Sequence, residues 1–177
     1  MGDDNGNTLS PLDQPEPGGR LRFRETGSAG YAAPRAPVLQ AILAYWQSKC
    51  GADGRLPSRR DLDPLELRGL LPNIYLIDVV EDGRFRVRLM GEAHVEVYGP
   101  GLVGRVIDDI FPAGVAAEFN RLYAAVVRRR EPVINRGQVT WLKSFDWMRY
   151  EGLHAPLASD GVKIDGILGA GAFEAAN

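Results

Sequence analysis

Asp82-Gly83 separates two stretches of alternating polarity, residues 74–81 and 84–90. That pair is the strongest short-range signal for a β-hairpin, because a two-residue type I′ turn needs φ > 0 at both central positions. In the second stretch Phe85, Val87 and Leu89 fall on one face, and Arg84, Arg86 and Arg88 fall on the other. At Gly91 the period becomes helical, with His94 and Tyr98 spaced i, i+4 on one side. A tight antiparallel hairpin running straight into short helices points to an α+β architecture.

The flanking sequence extends that pattern. Val106, Ile107, Ile110 and Phe111 form a helical stripe broken by Pro112. A longer amphipathic helix follows, with Val115, Phe119, Leu122, Tyr123, Val126 and Val127 on one side. Arg128, Arg129 and Arg130 close it, where cations favour the negative end of the helix dipole. Three strands are then expected over residues 133–142, 147–157 and 163–173. The last carries Gly166, Gly169 and Gly171, which weaken a strand but let a backbone or ligand come close.

Upstream, Val38, Leu39, Ile42, Leu43 and Trp46 recur at helical spacing behind Pro37, with Cys50-Gly51 as the expected end. This helix either packs on the sheet or forms a dimer contact. Asp63-Pro64 reads as the cap and first residue of a short helix ending before Pro72. The expected organisation is a mostly disordered tail over 1–37, a helical flank over 38–72 and a folded domain over 73–177. Within the tail, Leu21 to Arg24 alternates and offers an edge strand.

Composition removes several function classes. A formal charge of −2 argues against a dedicated nucleic-acid binder, although a local basic patch is compatible with it. With Cys50 alone there is no intramolecular disulfide and no cysteine-rich metal site. Neither a signal peptide nor an apolar run of membrane-spanning length is present, so a cytoplasmic protein without membrane partners is expected. No phosphate-binding loop, nucleophile elbow or zinc-protease motif occurs.

Three segments carry a resemblance: LPSRRDLDPLELRGLLPNIYLIDV, FRVRLMGEAHVEVYG and GLVGRVIDDIF. Their Pro-x-Arg-x-Asp-x-Asp-Pro run, the Leu-Leu-Pro before the first strand and the glycine closing the second resemble a stand-alone PAS-like family found mainly in alphaproteobacteria. Resemblance extends over residues 45–173. It departs at Glu92, where the family usually has threonine after glycine, and at Val103, where threonine is common. It implies an α+β fold in which the last strand inserts beside the first. One five-stranded antiparallel sheet then has helices packed on one face, plus the N-terminal helix. It further implies a cavity between sheet and helices that admits a small apolar or aromatic ligand; by the predicted direction of their side chains, Met90, His94, Tyr98, Tyr123 and Trp141 are its expected lining.

His94 admits three readings: an ordinary histidine, a hydrogen-bonding group of the pocket, or a metal or haem ligand. Haem-binding PAS domains usually supply their histidine from a later helix, and residues 102–111 contain none. His154 shares a strand face with Tyr150 and Gly152, directed either at the cavity or outward. Cys50 lacks the Asn-Cys-Arg-Phe context of flavin photosensors, so no cofactor is expected. Trp46, Phe145, Trp147 and Tyr150 are expected at an interface, the alternative being burial of the sheet aromatics under the N-terminal helix.

The leading functional expectation is a sensory or regulatory module acting in trans on a separate signalling protein, and forming a homodimer. Its rival is a ligand-free interaction or dimerisation adaptor. A small proton-transfer enzyme using His94 and a nearby acid ranks last, since no partner that would orient the base can be assigned.

Overall fold

The computed structural model describes residues 33–139 and 148–175. Most of the expected tail, with its Leu21–Arg24 segment, lies outside them, as do Trp141, Phe145 and Trp147.

Strands β1 (Ile74–Val79) and β2 (Phe85–Met90) form the expected antiparallel hairpin. Its connection is wider than a two-residue turn: the Val80 N–H donates to the Arg84 carbonyl at 2.9 Å across Glu81–Gly83. Asp82 (φ 63°) and Gly83 (φ 70°) both adopt left-handed backbone, so the Asp-Gly pair meets the demand read from it, inside a three-residue loop.

The hairpin also breaks its own alternation. Ile77 faces Val87 while Leu76 faces Leu89, which leaves Arg88 as the extra residue of a β-bulge. Beyond the bulge Met90, opposite Tyr75, packs with Val87, and Leu89 is 40% exposed. Simple alternation had placed Leu89 inward, and one inserted residue reverses every side chain after it.

Helix α2 (Glu92–Tyr98) starts behind Gly91. A Cβ on Gly91 would collide with the carbonyl oxygens of Leu71, Pro72 and Ile74, so glycine is required for the strand to pass the Leu71–Asn73 turn. Helices α3 (Ile107–Ile110) and α4 (Ala113–Arg129) follow, and α4 ends at Arg130 in left-handed backbone. The chain closes with β3 (Val133–Gln138), β4 (Met148–Leu157) and β5 (Gly166–Ala175).

All pairings in the five-stranded sheet are antiparallel, in the order β2-β1-β5-β4-β3, so the last strand lies between the first and the fourth. One core forms between this sheet and α2, α3 and α4. A second forms on the opposite face, under α1 (Pro37–Ser48). Helix α1 buries Leu39, Ile42, Leu43 and Trp46, which is the apolar stripe read from the sequence. It stops at Ser48, two residues before the expected Cys50-Gly51. The Asp63-Pro64 segment is a run of hydrogen-bonded turns instead of a helix, with Leu67 buried beneath it.

Glu151 ties α1 to the sheet. Its carboxylate accepts from the backbone N–H groups of Arg35 and Ala36 at 2.7–2.9 Å and pairs with Arg136. A carboxylate just ahead of a helix satisfies donors that have no partner within the helix and faces the positive end of its dipole.

Candidate functional site

Three cross-strand rows of the sheet floor a hollow beneath α2 and α4. They are Tyr75–Gly169–His154, Asn135–Gly152–Gly171 and Gly137–Tyr150–Phe173. Each row contains glycine, and a ring or amide lies over each of them. A Cβ on Gly169 would enter the Tyr75 ring, one on Gly171 the His94 ring and one on Gly137 the Tyr150 ring. At Gly152 it would strike Asn135 and His154. What the late glycines bring close is therefore the protein's own aromatic and polar side chains.

Those side chains form a hydrogen-bonded chain. The Tyr75 hydroxyl is 2.6 Å from His154 Nδ1, and His154 Nε2 is 2.8 Å from Asn135 Oδ1. Asn135 Oδ1 can only accept, so His154 carries its proton on Nε2 and Nδ1 accepts from Tyr75. The Tyr123 hydroxyl donates to the Tyr75 oxygen at 3.4 Å, and Asn135 Nδ2 donates to the Tyr150 hydroxyl at 3.3 Å. Donation thus runs from Tyr123 through Tyr75 to His154, and from His154 through Asn135 to Tyr150. Among the described residues nothing donates to the Tyr123 oxygen, which leaves acceptor capacity at that end of the chain.

His94, on α2, donates Nε2–H to the Asn73 carbonyl at 2.9 Å and packs edge-on to Tyr75 with ring centroids 4.8 Å apart. Burial drives its pKa down to about 4, partly opposed by that hydrogen bond. Burial, and secondarily the neighbouring His94, lowers His154 to about 3. Both imidazoles are neutral at ordinary pH. Burial likewise raises the tyrosine hydroxyls of this site well above their usual range, so all of them stay protonated. Among the described residues neither histidine bonds a carboxylate, and no cluster of three or more His, Cys, Asp or Glu is placed to hold a metal.

Of the expected lining, Met90, His94, Tyr98 and Tyr123 border this hollow, and Trp141 lies outside the described residues. Met90 reaches it because of the bulge at Arg88. Two residues expected at an interface sit elsewhere. Tyr150 is buried in the hollow, since residues 150, 152 and 154 share its face. Trp46 is buried between α1 and the sheet, its indole N–H donating to the Pro156 carbonyl at 2.9 Å. Phe145 and Trp147, also expected there, are outside the described residues.

Sequence reasoning passed over Tyr75 and Asn135 and left His154 undirected. Tyr75 alternates with Ile77, an available signal; the meeting of Tyr75 with His154 and Asn135 depends on strand order. Aromatic side chains fill most of the hollow and leave about 40 Å³ free, room for about two or three water molecules.

A PAS domain family match spans residues 35–171, so the chain belongs to the PAS domain family. The chain is also similar to a solved structure described as an RNA-binding light-oxygen-voltage receptor. Identity there is 12% and the TM-score 0.42, over 86% of this chain and 38% of that one. The chain therefore spans less than half the length of that receptor chain. No curated protein matches it. Among the described residues no helix is long and apolar enough to cross a membrane.

Proposed function

We propose that the chain is a sensory or regulatory PAS module that binds a small ligand in this hollow and passes its state to a separate protein partner. The buried Tyr123–Tyr75–His154–Asn135 chain supports this reading most strongly. Polar groups in a core cost more than aliphatic ones unless all are satisfied. Here the set is arranged with unused acceptor capacity at Tyr123. That end suits a molecule with an apolar or aromatic body and one hydrogen-bond donor.

Free space of about 40 Å³ falls short of such a molecule, so binding requires side chains to withdraw. Met90 is suited to that role, being half-buried at the border and having three rotatable bonds. Ligand would then favour a conformation with α2 displaced, and the energy available to the partner is the difference in ligand affinity between the two states.

Native mass spectrometry of the purified chain beside its denatured mass tests this. A retained small molecule, released on denaturation and lost in Tyr123→Phe, is the expected result. Only the bare chain mass, with no compound from a phenol and indole series raising the unfolding temperature, would overturn it.

The small free volume favours a second reading, a ligand-free interaction or dimerisation adaptor whose rings fill the space a ligand would take. It predicts bare mass, unchanged partner binding in Tyr123→Phe, and loss of partner binding on removal of Trp141 or Trp147.

A further inference from the structure

On the sheet face turned toward α1, one carboxylate holds three guanidinium groups. Arg59 lies 3.1 Å from Asp78 Oδ1, while Arg86 and Arg88 lie 3.2 and 3.5 Å from Oδ2. Among the described residues none of the three arginines pairs with another carboxylate. Three cations on one anion leave a local charge of +2 on a chain whose formal charge is −2.

The anion is also the inner member of the group. The Asp78 side chain is 10% exposed, against 33, 44 and 51% for Arg59, Arg86 and Arg88. The bulge at Arg88 leaves that residue without a cross-strand partner, and its 3.5 Å approach is too long for a good hydrogen bond. Each guanidinium has five N–H donors, far more than one shared carboxylate can accept. Asp78, Arg86 and Arg88 border an open recess of about 340 Å³ beside Val87, Val103 and Gly104.

We infer that Arg86 and Arg88, held by Asp78 and supported by Arg59, bind a phosphate monoester in this recess. A dianion with three acceptor oxygens matches the local charge and can take the N–H donors that Asp78 leaves unused. A nucleic-acid backbone would call for a row of cations along its phosphates, whereas these three cluster around a single carboxylate. Asp78 lies on the other sheet face from the hollow, since Ile74 and Leu76, which alternate with it on β1, pack in the core under α1, while Val87 borders both spaces. It does not depend on that hollow binding anything.

The test is a titration of the full chain with inorganic phosphate at constant ionic strength, following the arginine Nε–Hε resonances by NMR, with chloride as the control anion. Saturable shifts confined to Arg59, Arg86 and Arg88 are expected. Arg86→Gln or Arg88→Gln should weaken binding about tenfold, and Arg121→Gln on α4 should leave it unchanged. Both positions in the site are half-exposed, and an unaltered unfolding midpoint will show that the fold persists. A phosphoserine peptide, its unphosphorylated twin and adenosine monophosphate identify the carrier. Tighter binding of the phosphopeptide assigns the group to a protein partner, and tighter binding of the nucleotide assigns it to a small ester. Shifts that do not saturate, that chloride reproduces, or that survive the double glutamine variant overturn the site.

Discussion

The Tyr75 hydroxyl and His154 Nδ1 lie 2.6 Å apart in the core, and with Asn135 at Nε2 that contact leaves His154 one tautomer. Tyr75→Phe would leave the buried Nδ1 lone pair without its donor. A cost of about 1–3 kcal/mol is expected, measured by urea unfolding. Nitrogen NMR of His154 should show Nδ1 unprotonated in the native protein. A cost near zero would mean that a water replaces the hydroxyl.

The two neutral histidines make stability depend on pH in a defined direction. Their folded pKa values, about 4 for His94 and about 3 for His154, lie below the ordinary value of 6.5. Between those limits the unfolded chain binds protons that the folded one refuses, so stability is full above about pH 6.5 and falls as pH drops. The expected slope is roughly 1.4 kcal/mol per pH unit for each histidine. Urea unfolding at pH 7, 6 and 5 measures it, and His94→Gln should remove about half. A flat profile would mean that neither ring is held neutral.

Glycine at the floor of the hollow is a packing requirement. Gly169→Ala would drive a methyl group into the Tyr75 ring, and Gly171→Ala would do the same to His94. Each should cost about 1–3 kcal/mol, as overpacked cores do. Gly114, in the first turn of α4, has open space around it. There alanine should be neutral or stabilising, by up to about 1 kcal/mol. Thermal unfolding of the three variants separates the cases.

Glu151 should act as the latch of α1. Glu151→Ala leaves the N–H groups of Arg35 and Ala36 without their acceptor and Arg136 without its carboxylate. Amide hydrogen exchange over residues 39–46 should then accelerate selectively, with β1, β4 and β5 little changed. Equal acceleration everywhere would show that the helix and sheet open only together.

Much of the fold was legible because its signals are local. The Asp82-Gly83 pair, the apolar stripe of α1 and the i, i+4 placement of His94 and Tyr98 each depend on neighbours within about two helical turns. The bulge at Arg88 was not legible, since an unpaired residue is defined by the strand opposite. It moved Met90 inward and Leu89 outward, against the alternation. The polar chain is also non-local: Tyr75 and His154 are 79 residues apart, His154 and Asn135 are 19 apart, and register alone brings them together. Trp46 shows the same limit. Its helical stripe was plain, but the surface that stripe meets, beside Pro156, was not.

The position of β5 has a consequence for synthesis. Strands β1 and β4 acquire their shared neighbour only when residues 166–175 have been made, and the bond from Asn73 to the Gly171 carbonyl spans 98 positions. Until then a nascent chain on the ribosome presents two unzipped strand edges, the condition in which polypeptides associate with one another. Most of this domain's native pairing must therefore form after translation of its final strand, during which a chaperone has its clearest opportunity to act.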